Sequence, residues 1–224
     1  MPLLLKRPEF APVNILLTAA TEAEIAPTQK LLQQRTARFG TEVCITGVGI
    51  CGATFGLSQA LFSGNYDLVI AAGIAGSFDR SLPLGTVARI TRDCFGDLGV
   101  EDGDHFLDLP QLRLAKPEDV CIEAFSPEFP ENLNKIVLSL PSREAITVHT
   151  ATGAAPTVTA RQKRFGAVLE SMEGAAYHYV CRKKKIPLLH LRAISNYAEV
   201  RNRPAWNIPL AVQNLNGILQ NLLF

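Results

Sequence analysis

Short runs of valine, isoleucine and leucine alternate along this chain with longer segments whose apolar residues recur at helical spacing. This alternation is typical of α/β proteins, in which helices cover both faces of a central sheet. Most of the short runs lack the alternating polar residues of a half-exposed strand, so they predict strands that are buried on both faces. We therefore expect a three-layer α/β/α fold around a mostly parallel, mixed and twisted sheet.

These patterns also set the boundaries of the elements. The predicted strands are Asn14–Thr18, Glu42–Thr46, Leu68–Ala72, Thr86–Thr91, Ala145–Val148, Ala167–Ser171 and Leu188–Ser195. The predicted helices are Glu22–Gln34, Cys51–Ser63, Thr159–Phe165, Glu173–Lys184 and Ile208–Leu223. A chain of 224 residues without a linker-like interruption suits one domain, and we expect residues 1–224 to form it.

The balance of charge restricts the partners of the chain. Lys and Arg number 22 against 21 Asp and Glu, which gives a formal net charge of +1. A chain so balanced has no electrostatic reason to bind nucleic acid or an anionic membrane, so a small-molecule partner is expected. No stretch reaches the ~20 apolar residues needed to cross a bilayer, and the first eight residues lack the features of a signal peptide. We expect a cytoplasmic protein.

The cysteines and one acidic segment bear on metal binding. The five cysteines are odd in number and show no C-x-x-C spacing, so we expect reduced, mostly buried thiols and neither disulfides nor a zinc site. The segment Phe95–Asn134, rich in glycine, proline and acidic residues, predicts a long functional loop. Its residues Asp102, Asp104 and His105 lack the repeated oxygen-ligand spacing of a calcium site, and no metal is expected.

A glycine motif raises the question of a dinucleotide cofactor. Gly47-Val48-Gly49-Ile50-Cys51-Gly52 matches G-x-G-x-x-G between a predicted strand and a predicted helix. Nicotinamide binding would also require an acidic residue at the end of the next strand, but Asp67 precedes that strand and Gly73 ends it. We favour a structural role for these glycines, in a tight turn with close helix packing, and expect no cofactor.

Four short motifs fall at the ends of predicted strands. They are Thr18–Glu24, Gly73–Ser77, Ser171–Ala176 and Ser195-Asn196. A carboxylate at a strand-to-helix turn, with an amide at the end of the neighbouring strand, can bind a sugar hydroxyl and a purine edge together. Each motif also has an ordinary explanation, because acids favour the first turn of a helix, and glycine and asparagine favour turns.

Together these motifs resemble the nucleoside phosphorylase and nucleosidase family. The resemblance implies that Glu24 activates a water molecule, since Glu22 would point about 200° away on the same helix. It places Met172 against the ribose and Glu173 on a ribose hydroxyl. It also makes Gly73, Ile74, Ala75 and Gly76 a wall of the substrate site, where side chains would prevent close approach. A carboxylate at Glu24 repels phosphate, so hydrolysis is preferred to phosphorolysis.

Asn196 indicates which base is released. In the adenosine-directed members of the family an aspartate follows the serine and protonates the departing adenine, which an amide cannot do. An amide can instead donate to O6 of a 6-oxopurine and accept from its N7–H. The segments Gly96–Gly103 and Ser195–Trp206 further resemble the futalosine hydrolases, a group in this family that removes hypoxanthine from a nucleoside in an alternative menaquinone pathway.

The remaining site residues follow from the same resemblance. The 5′ side of futalosine carries an aromatic carboxylate, which Arg201 or Arg203 could bind while Trp206 packs on the ring. The family's Phe-Ile after an Ala-Thr-Gly run is absent here, where the chain reads Ala151–Thr157, so either Pro156 or Thr157 could line the base. Ordinary structural roles explain these residues equally well, with the two arginines exposed to solvent and Trp206 packed in the core.

We therefore expect a nucleoside phosphorylase-like nucleosidase that uses water, needs no cofactor and forms a homodimer. Glu24, Glu173 and Asn196 are its expected catalytic residues. Three alternatives stay open: a methylthioadenosine/adenosylhomocysteine nucleosidase, a purine nucleoside phosphorylase, and a nucleoside-binding protein without catalysis. Asn196 argues against the first and Glu24 against the second. The presence of both Glu24 and Glu173 argues against the third, because binding alone requires neither water activation nor stabilisation of a charged sugar ring.

Overall fold

An eight-stranded sheet forms the middle layer of the computed structural model, which describes residues 13–125 and 131–224, with the side chains of 131–133 excepted. The described strands are β1 (Asn14–Ala19), β2 (Gly40–Ile45), β3 (Leu68–Ser77), β4 (Val87–Phe95), β5 (Gly99–Asp102), β6 (His105–Asp108), β7 (Cys121–Glu123), β8 (Ser142–Thr147), β9 (Leu169–Ser171) and β10 (Leu188–Tyr197). The described helices are α1 (Glu22–Gln34), α2 (Gly49–Ser63), α3 (Pro117–Val120), α4 (Glu131–Ser139), α5 (Ala155–Phe165), α6 (Gly174–Lys184) and α7 (Ile208–Leu223).

The sheet is mixed and partly closed on itself. Parallel pairings join β1 to β2 and β3, β3 to β10, and β8 to β4 and β9. Antiparallel pairings join β3 to β9, and β4 to both β10 and β7. Strands β3, β10, β4, β8 and β9 therefore form a closed ring, while β1 and β2 extend it on one side. The expected mostly parallel, mixed sheet is confirmed, and closure of the ring adds a feature that the pattern did not predict.

Helices cover both faces of the sheet, as the alternation of patterns predicts. On one face, α1 and α7 pack on alternate residues of β1, β3 and β10, including Leu17, Ile70 and Leu191. On the other, α2 and α6 pack on the intervening residues, such as Leu16 and Val69. Burial of both strand faces explains why these runs are almost continuously apolar. Among the described helices, none combines the length and hydropathy required to cross a membrane.

Most predicted elements are present, with shifted ends. Helices Glu22–Gln34 and Ile208–Leu223 are confirmed at both ends, whereas the structure begins the helix over Thr159–Phe165 four residues earlier. The long loop predicted over Phe95–Asn134 is wrong in large part. Its described portion contains the β5–β6 hairpin, α3, β7 and the first turn of α4. Residues 126–130 of that segment, and the first eight residues considered as a signal peptide, lie outside the described residues.

The prediction that all cysteines are reduced is also wrong. Cys94 on β4 and Cys121 on β7 form a disulfide, because antiparallel pairing of these strands sets the two residues opposite each other with their Cα atoms 4.0 Å apart. Only Cys181 of the three free thiols is fully buried, while Cys44 is half-buried and Cys51 is exposed. The number of cysteines and their spacing in the sequence could not reveal a pairing that depends on contact between distant strands.

The G-x-G-x-x-G segment has the structural role that we favoured. Gly47 and Gly49 adopt φ angles of +87° and +86°, which most other residues avoid. Farther along α2, a Cβ at Gly56 would lie 2.8 Å from the Cα of Thr46. These glycines form the turn into α2 and let that helix pack closely on the end of β2.

Asn216 on α7 replaces a backbone hydrogen bond inside α1. Its Nδ2 donates to the Glu24 carbonyl at 2.9 Å, and its Oδ1 accepts from the Thr28 backbone N–H at 3.0 Å. In a regular helix these two backbone groups, four residues apart, would bond to each other. Pro27 lies between them, lacks an N–H and crowds the preceding turn. The buried amide of Asn216 therefore holds the backbone of Glu24 at the point where α1 is perturbed.

We expect Asn216→Leu to lower the free energy of unfolding by roughly 2–5 kcal/mol, because it leaves buried backbone groups of Glu24 and Thr28 without partners. Urea unfolding at constant m-value would measure this loss. The matched control is Asn221→Leu, since Asn221 is exposed on the same helix and its replacement should change the midpoint little. Equal losses in both variants would contradict a bridging role for Asn216.

Candidate active site

The four strand-end motifs meet at one edge of the sheet. Because β1 and β10 both run parallel to β3, the segments that follow these strands lie together. β9 runs antiparallel to β3, with Glu170 opposite Gly76, so the chain after β9 returns along β3 toward Gly73. This topology brings Glu24, in the first turn of α1, close to Glu173 at the N-cap of α6.

Glu24 is buried, whereas Glu22 on the same helix is exposed. Its Oε2 accepts hydrogen bonds of 3.0 Å from the backbone N–H and the hydroxyl group of Thr21. Its Oε1 accepts a third bond of 3.0 Å from the backbone N–H of Ile74 on β3. A carboxylate has about four acceptor positions, so one lone pair of Glu24 remains to accept a proton or orient a water molecule.

Arg192 on β10 pairs with Glu173, and sequence reasoning missed it. The side chain is 1% exposed, with Nη2 3.4 Å from Glu173 Oε2 and Nη1 donating to the Ile74 carbonyl at 3.3 Å. Gly73 faces Arg192 across the β3–β10 pairing. A Cβ at Gly73 would collide with Arg192 Nη1 and come within 2.7 Å of Glu24 Oε1. Glycine is therefore required here by close approach of both side chains.

Glu173 is the second buried carboxylate of the site. Its Oε1 accepts a hydrogen bond of 3.0 Å from the backbone N–H of Gly49 at the start of α2, and its Oε2 faces Arg192. The residue precedes Gly174, the first residue of α6, where the positive end of the helix dipole favours a carboxylate. Met172, the preceding residue, is half-buried. A carboxylate held in this way can accept from a sugar hydroxyl and stabilise positive charge on a sugar ring.

Asn196 lies at the far end of β10, opposite Gly76 of β3. Its Oδ1 accepts from the Ser195 hydroxyl at 2.8 Å, and its Nδ2 donates to the Tyr197 carbonyl at 3.0 Å. These two bonds orient the amide and leave one N–H and one lone pair free for a ligand. The Nδ2 atom would lie only 3.2 Å from a Cβ at Gly76, so a larger residue there would crowd the amide.

The structure places the outer predicted residues on two neighbouring loops. The backbone N–H of exposed Arg201 donates to the Gly153 carbonyl at 3.0 Å, which ties the loop after β10 to the loop before α5. The Arg201 guanidinium stacks over the half-buried Trp206, 5.1 Å from the ring centroid. Exposed Pro156 and half-buried Thr157 line a cavity of about 690 Å³, whose lining does not include Glu24, Glu173 or Asn196.

A chain of buried polar side chains continues from Arg192 into the protein. Arg192 Nε donates to His190 Nε2 at 2.8 Å, and His190 Nδ1 lies 3.0 Å from His178 Nε2. His178 Nδ1 lies 3.0 Å from the carbonyl oxygen of Ile122 on β7. Asp93 on β4 completes this group, with Oδ1 accepting from the hydroxyl of Thr147 and Oδ2 3.9 Å from His190 Nδ1. One signal for it exists in the sequence, since His190 and Arg192 interrupt an apolar strand two residues apart.

Burial shifts the pKa values of Asp93, His178 and His190 in the direction that favours their neutral forms. It raises the pKa of the Asp93 carboxyl to about 7, against the lowering effects of the Thr147 hydroxyl and the Arg192 charge. Burial also lowers the pKa of His178 to about 4. The pKa of His190 is well below its usual range, first because of burial and then because of the Arg192 charge. Both histidines are therefore neutral at neutral pH, and the pKa of Asp93 lies close to that pH.

The sequence matches the phosphorylase superfamily over residues 16–223, a range that includes Glu24, Glu173 and Asn196. Among curated proteins, the futalosine hydrolase of Streptomyces coelicolor is 29% identical over 189 residues, which cover 82% of this chain and 78% of that protein. The futalosine hydrolase of Thermus thermophilus is 27% identical over 178 residues, which cover 80% of this chain and 79% of that protein.

Two solved structures have a similar fold. The futalosine hydrolase of Helicobacter pylori superimposes with a TM-score of 0.76 at 20% identity, over 94% of this chain and 97% of that one. The 5′-methylthioadenosine/S-adenosylhomocysteine nucleosidase of Helicobacter pylori gives a TM-score of 0.78 at 20% identity, over 96% and 98%. At this level of identity both similarities concern the fold, and the two scores do not separate the two activities.

We expect Asp93→Asn to gain stability relative to the native protein as pH rises. The unfolded Asp93 loses its proton near pH 4, whereas the folded carboxyl keeps it up to about pH 7, so folding of the native protein is penalised increasingly across this window. The amide of the variant cannot ionise, and the difference in unfolding free energy should grow by a few kcal/mol between about pH 4 and 8.

Urea unfolding at pH 5, 6, 7 and 8 would measure that difference. Asp102→Asn is the control, because Asp102 is exposed on the β5–β6 hairpin and its substitution should give a difference that is flat with pH. A flat difference for Asp93→Asn as well would mean that the folded carboxyl titrates in the ordinary range.

Proposed function

Because the chain belongs to the phosphorylase superfamily, we propose that it hydrolyses the N-ribosidic bond of futalosine. Water adds its hydroxyl group to C1′ of the ribose, the bond from C1′ to the base breaks, and hypoxanthine leaves with a proton from solvent. The other product is dehypoxanthine futalosine, an intermediate of the alternative menaquinone pathway. The similarity to a curated futalosine hydrolase supports this substrate.

The observation that carries the proposal is that two buried carboxylates, Glu24 and Glu173, lie near the buried Arg192 side chain. Glu173 pairs with its guanidinium, while Glu24 accepts from the N–H of Ile74 and Arg192 donates to the carbonyl of the same residue. In the proposed reaction, Glu24 accepts a proton from the attacking water, and Glu173 holds a ribose hydroxyl while Met172 contacts the ribose. Because positive charge develops on the ribose, buried carboxylates stabilise the transition state more than the neutral substrate.

Asn196 supports a 6-oxopurine as the leaving base. With its amide oriented by Ser195 and Tyr197, the free N–H would donate to O6 of hypoxanthine and the free lone pair would accept from N7–H. The small residues Gly73–Gly76 of β3 would form the adjacent wall. Adenine carries an amino group at position 6, which would meet the donor of Asn196, so the methylthioadenosine alternative is disfavoured.

The outer loops fit the 5′ side of the substrate. Arg201 and Trp206 already stack on each other, and an aromatic carboxylate could pack on this pair with its charge near the guanidinium. Pro156 and Thr157, on the loop joined to Arg201 through Gly153, are the proposed contacts to the base through backbone groups. We propose these four residues as substrate contacts.

The charges at the site favour water over phosphate as the nucleophile. Arg192, the buried cation beside Glu173, is engaged with Glu173, His190 and the Ile74 carbonyl. A phosphate anion at the same place would face the negative charges of Glu24 and Glu173. A protein that only binds nucleosides would require neither water activation nor stabilisation of a charged sugar ring, so the two buried carboxylates favour an enzyme.

We also infer that the protein is a homodimer. One face of α2 exposes a row of apolar side chains, with Val48 59%, Phe55 72% and Phe62 79% exposed. Apolar surfaces of this kind are typical of interfaces between protein chains, and the family resemblance suggests a second copy of this chain as the partner. The row begins next to Gly49, whose N–H contacts Glu173, so dimerisation would cover surface adjacent to the site. One nucleosidase domain over residues 1–224 and a cytoplasmic location remain our predictions.

We expect purified protein to release hypoxanthine from futalosine without phosphate, and to release little base from inosine, methylthioadenosine or adenosylhomocysteine. Chromatography of the free bases, with and without phosphate, would measure this. Adenine release would mean that Asn196 does not select the base. Phosphate-dependent release would indicate a phosphorylase, and the absence of any release would support a binding protein.

Glu24→Gln should lower kcat for futalosine by at least about 100-fold, because an amide cannot accept the proton of water. Glu22→Gln is the matched control, since Glu22 lies in the same helical turn but is exposed. It should keep kcat within about twofold. If Glu24→Gln kept native turnover, Glu24 would not be the base.

We expect a molar mass close to twice 24.4 kDa from light scattering of the native protein, and a mass close to 24.4 kDa for Phe55→Glu. A buried carboxylate in an apolar interface would cost more than the contact gains. Leu114→Glu provides the control, because Leu114 is equally exposed, at 72%, outside α2. A native mass of 24.4 kDa would exclude the dimer.

A further inference from the structure

The polar chain beneath Arg192 has no assigned role in the proposed reaction. We propose that His190 and His178 are positioning residues, which fix the direction of the Arg192 guanidinium that pairs with Glu173. We call these two histidines the relay. The inference rests on the proposed function for its catalytic consequence, although the geometry of the relay stands without it.

The two ends of the relay determine where its protons lie. Arg192 Nε can only donate, so His190 Nε2 must present a lone pair at 2.8 Å and His190 must carry its proton on Nδ1. The Ile122 carbonyl can only accept, so His178 must carry its proton on Nδ1 and present a lone pair on Nε2. The remaining bond of 3.0 Å then runs from His190 Nδ1–H to His178 Nε2. Every donor in this series of hydrogen bonds faces an acceptor, and all the bonds point the same way, from Arg192 toward the Ile122 carbonyl.

This direction matters because the alternative proton arrangement would displace Arg192. If His190 carried its proton on Nε2, that N–H would face the Nε–H of Arg192, and two donors would oppose each other in a buried site. Arg192 would then turn away, and its contacts with Glu173 and the Ile74 carbonyl would be lost or lengthened. His178 prevents this arrangement, since its lone pair holds the His190 proton on Nδ1.

The groups around the relay are compatible with two neutral imidazoles. Asp93 from β4 and Arg192 from β10 are the charged or titratable groups next to it, and Glu173 at the start of α6 pairs with Arg192. Among the described residues, Asp93 Oδ2 is buried without a hydrogen-bond partner. Asp93 Oδ2 lies 3.9 Å from His190 Nδ1, beyond hydrogen-bond distance, whereas His178 Nε2 lies at 3.0 Å and takes the His190 proton. Gly174 also packs here, since a Cβ at this residue would collide with Asp93 Oδ2 and approach His190 Cε1 to 2.6 Å.

A metal ion is the main alternative for this cluster. Asp93, His178 and His190 offer ligand atoms that all lie within 4.8 Å of one another. An ion on His190 Nδ1 would need a lone pair on the nitrogen that carries the proton in the relay. Because Nε2 already accepts from Arg192, both ring nitrogens of His190 would have to lose their protons. The hydrogen-bond pattern therefore favours the relay over a metal.

Two substitutions at His190 separate positioning from packing. His190→Gln keeps an acceptor near the former Nε2, and kcat for futalosine should stay within about fivefold of the native value. His190→Leu fills the space without an acceptor, and kcat should fall about 100-fold with a smaller change in KM, because Arg192 loses its direction. If the relay only packs the core, the order reverses, since Leu suits an apolar interior better than Gln. That reversal would overturn the proposal.

A second measurement does not depend on activity. Nitrogen-15 NMR of the ring nitrogens, assigned with His178→Gln and His190→Gln, should find protons on Nδ1 and lone pairs on Nε2 in both histidines. A proton on Nε2 of either residue would overturn the relay even if futalosine is hydrolysed. The proposed function could fail separately, if the expected tautomers were found in a protein that releases no base.

The same spectra would test the metal. Adding zinc chloride should leave the His178 and His190 nitrogen signals and the melting temperature unchanged. A rise in melting temperature with zinc that is lost in His178→Gln would identify the cluster as a metal site and overturn the relay.

Discussion

The burial of one positive charge constrains the whole site. Arg192 is 1% exposed, and removing a guanidinium from water costs on the order of several kcal/mol unless its donors and its charge find partners. Glu173 supplies the opposite charge, while His190 and the Ile74 carbonyl supply neutral acceptors. The register of β3 and β10 sets Arg192 directly beside Gly73, where a side chain would fill the space that the guanidinium occupies. The burial of Arg192 thus accounts for the residue types found at Gly73, Glu173 and His190.

Local patterns were sufficient to predict the positions of the candidate site residues that lie at strand ends. Glu24 and Glu173 follow apolar runs and begin helices, so the sequence alone places them where the edges of parallel strands converge. Both strand faces are buried, which makes the runs of β1, β3 and β10 easy to recognise. Sequence reasoning could also distinguish Glu24 from Glu22, because side chains two positions apart on a helix point about 200° away from each other.

The missed residues depend on contacts between segments that are distant in sequence. Arg192 and His190 lie within an apolar run that reads as an ordinary core strand, and only their alternation hints that one face of β10 is polar. The sequence offers no sign that Asp93, on a strand far earlier in the chain, lies beside them. The disulfide was missed for the same reason, since Cys94 and Cys121 become neighbours only through pairing of β4 with β7.

The short strand β7 connects this missed region to the site. Its pairing with β4 sets Ile122 opposite Asp93 and Cys121 opposite Cys94, and the disulfide adds a covalent link at the second pair. The Ile122 carbonyl thereby has a fixed position, and it is the acceptor on which the proton of His178 depends. The strand β7 has only three residues and lies in a segment whose sequence resembles a loop. It nevertheless fixes the end of the hydrogen-bond series that orients Arg192. Displacement of β7 would reach Glu173 through hydrogen bonds alone, without any change in the residues proposed to contact substrate.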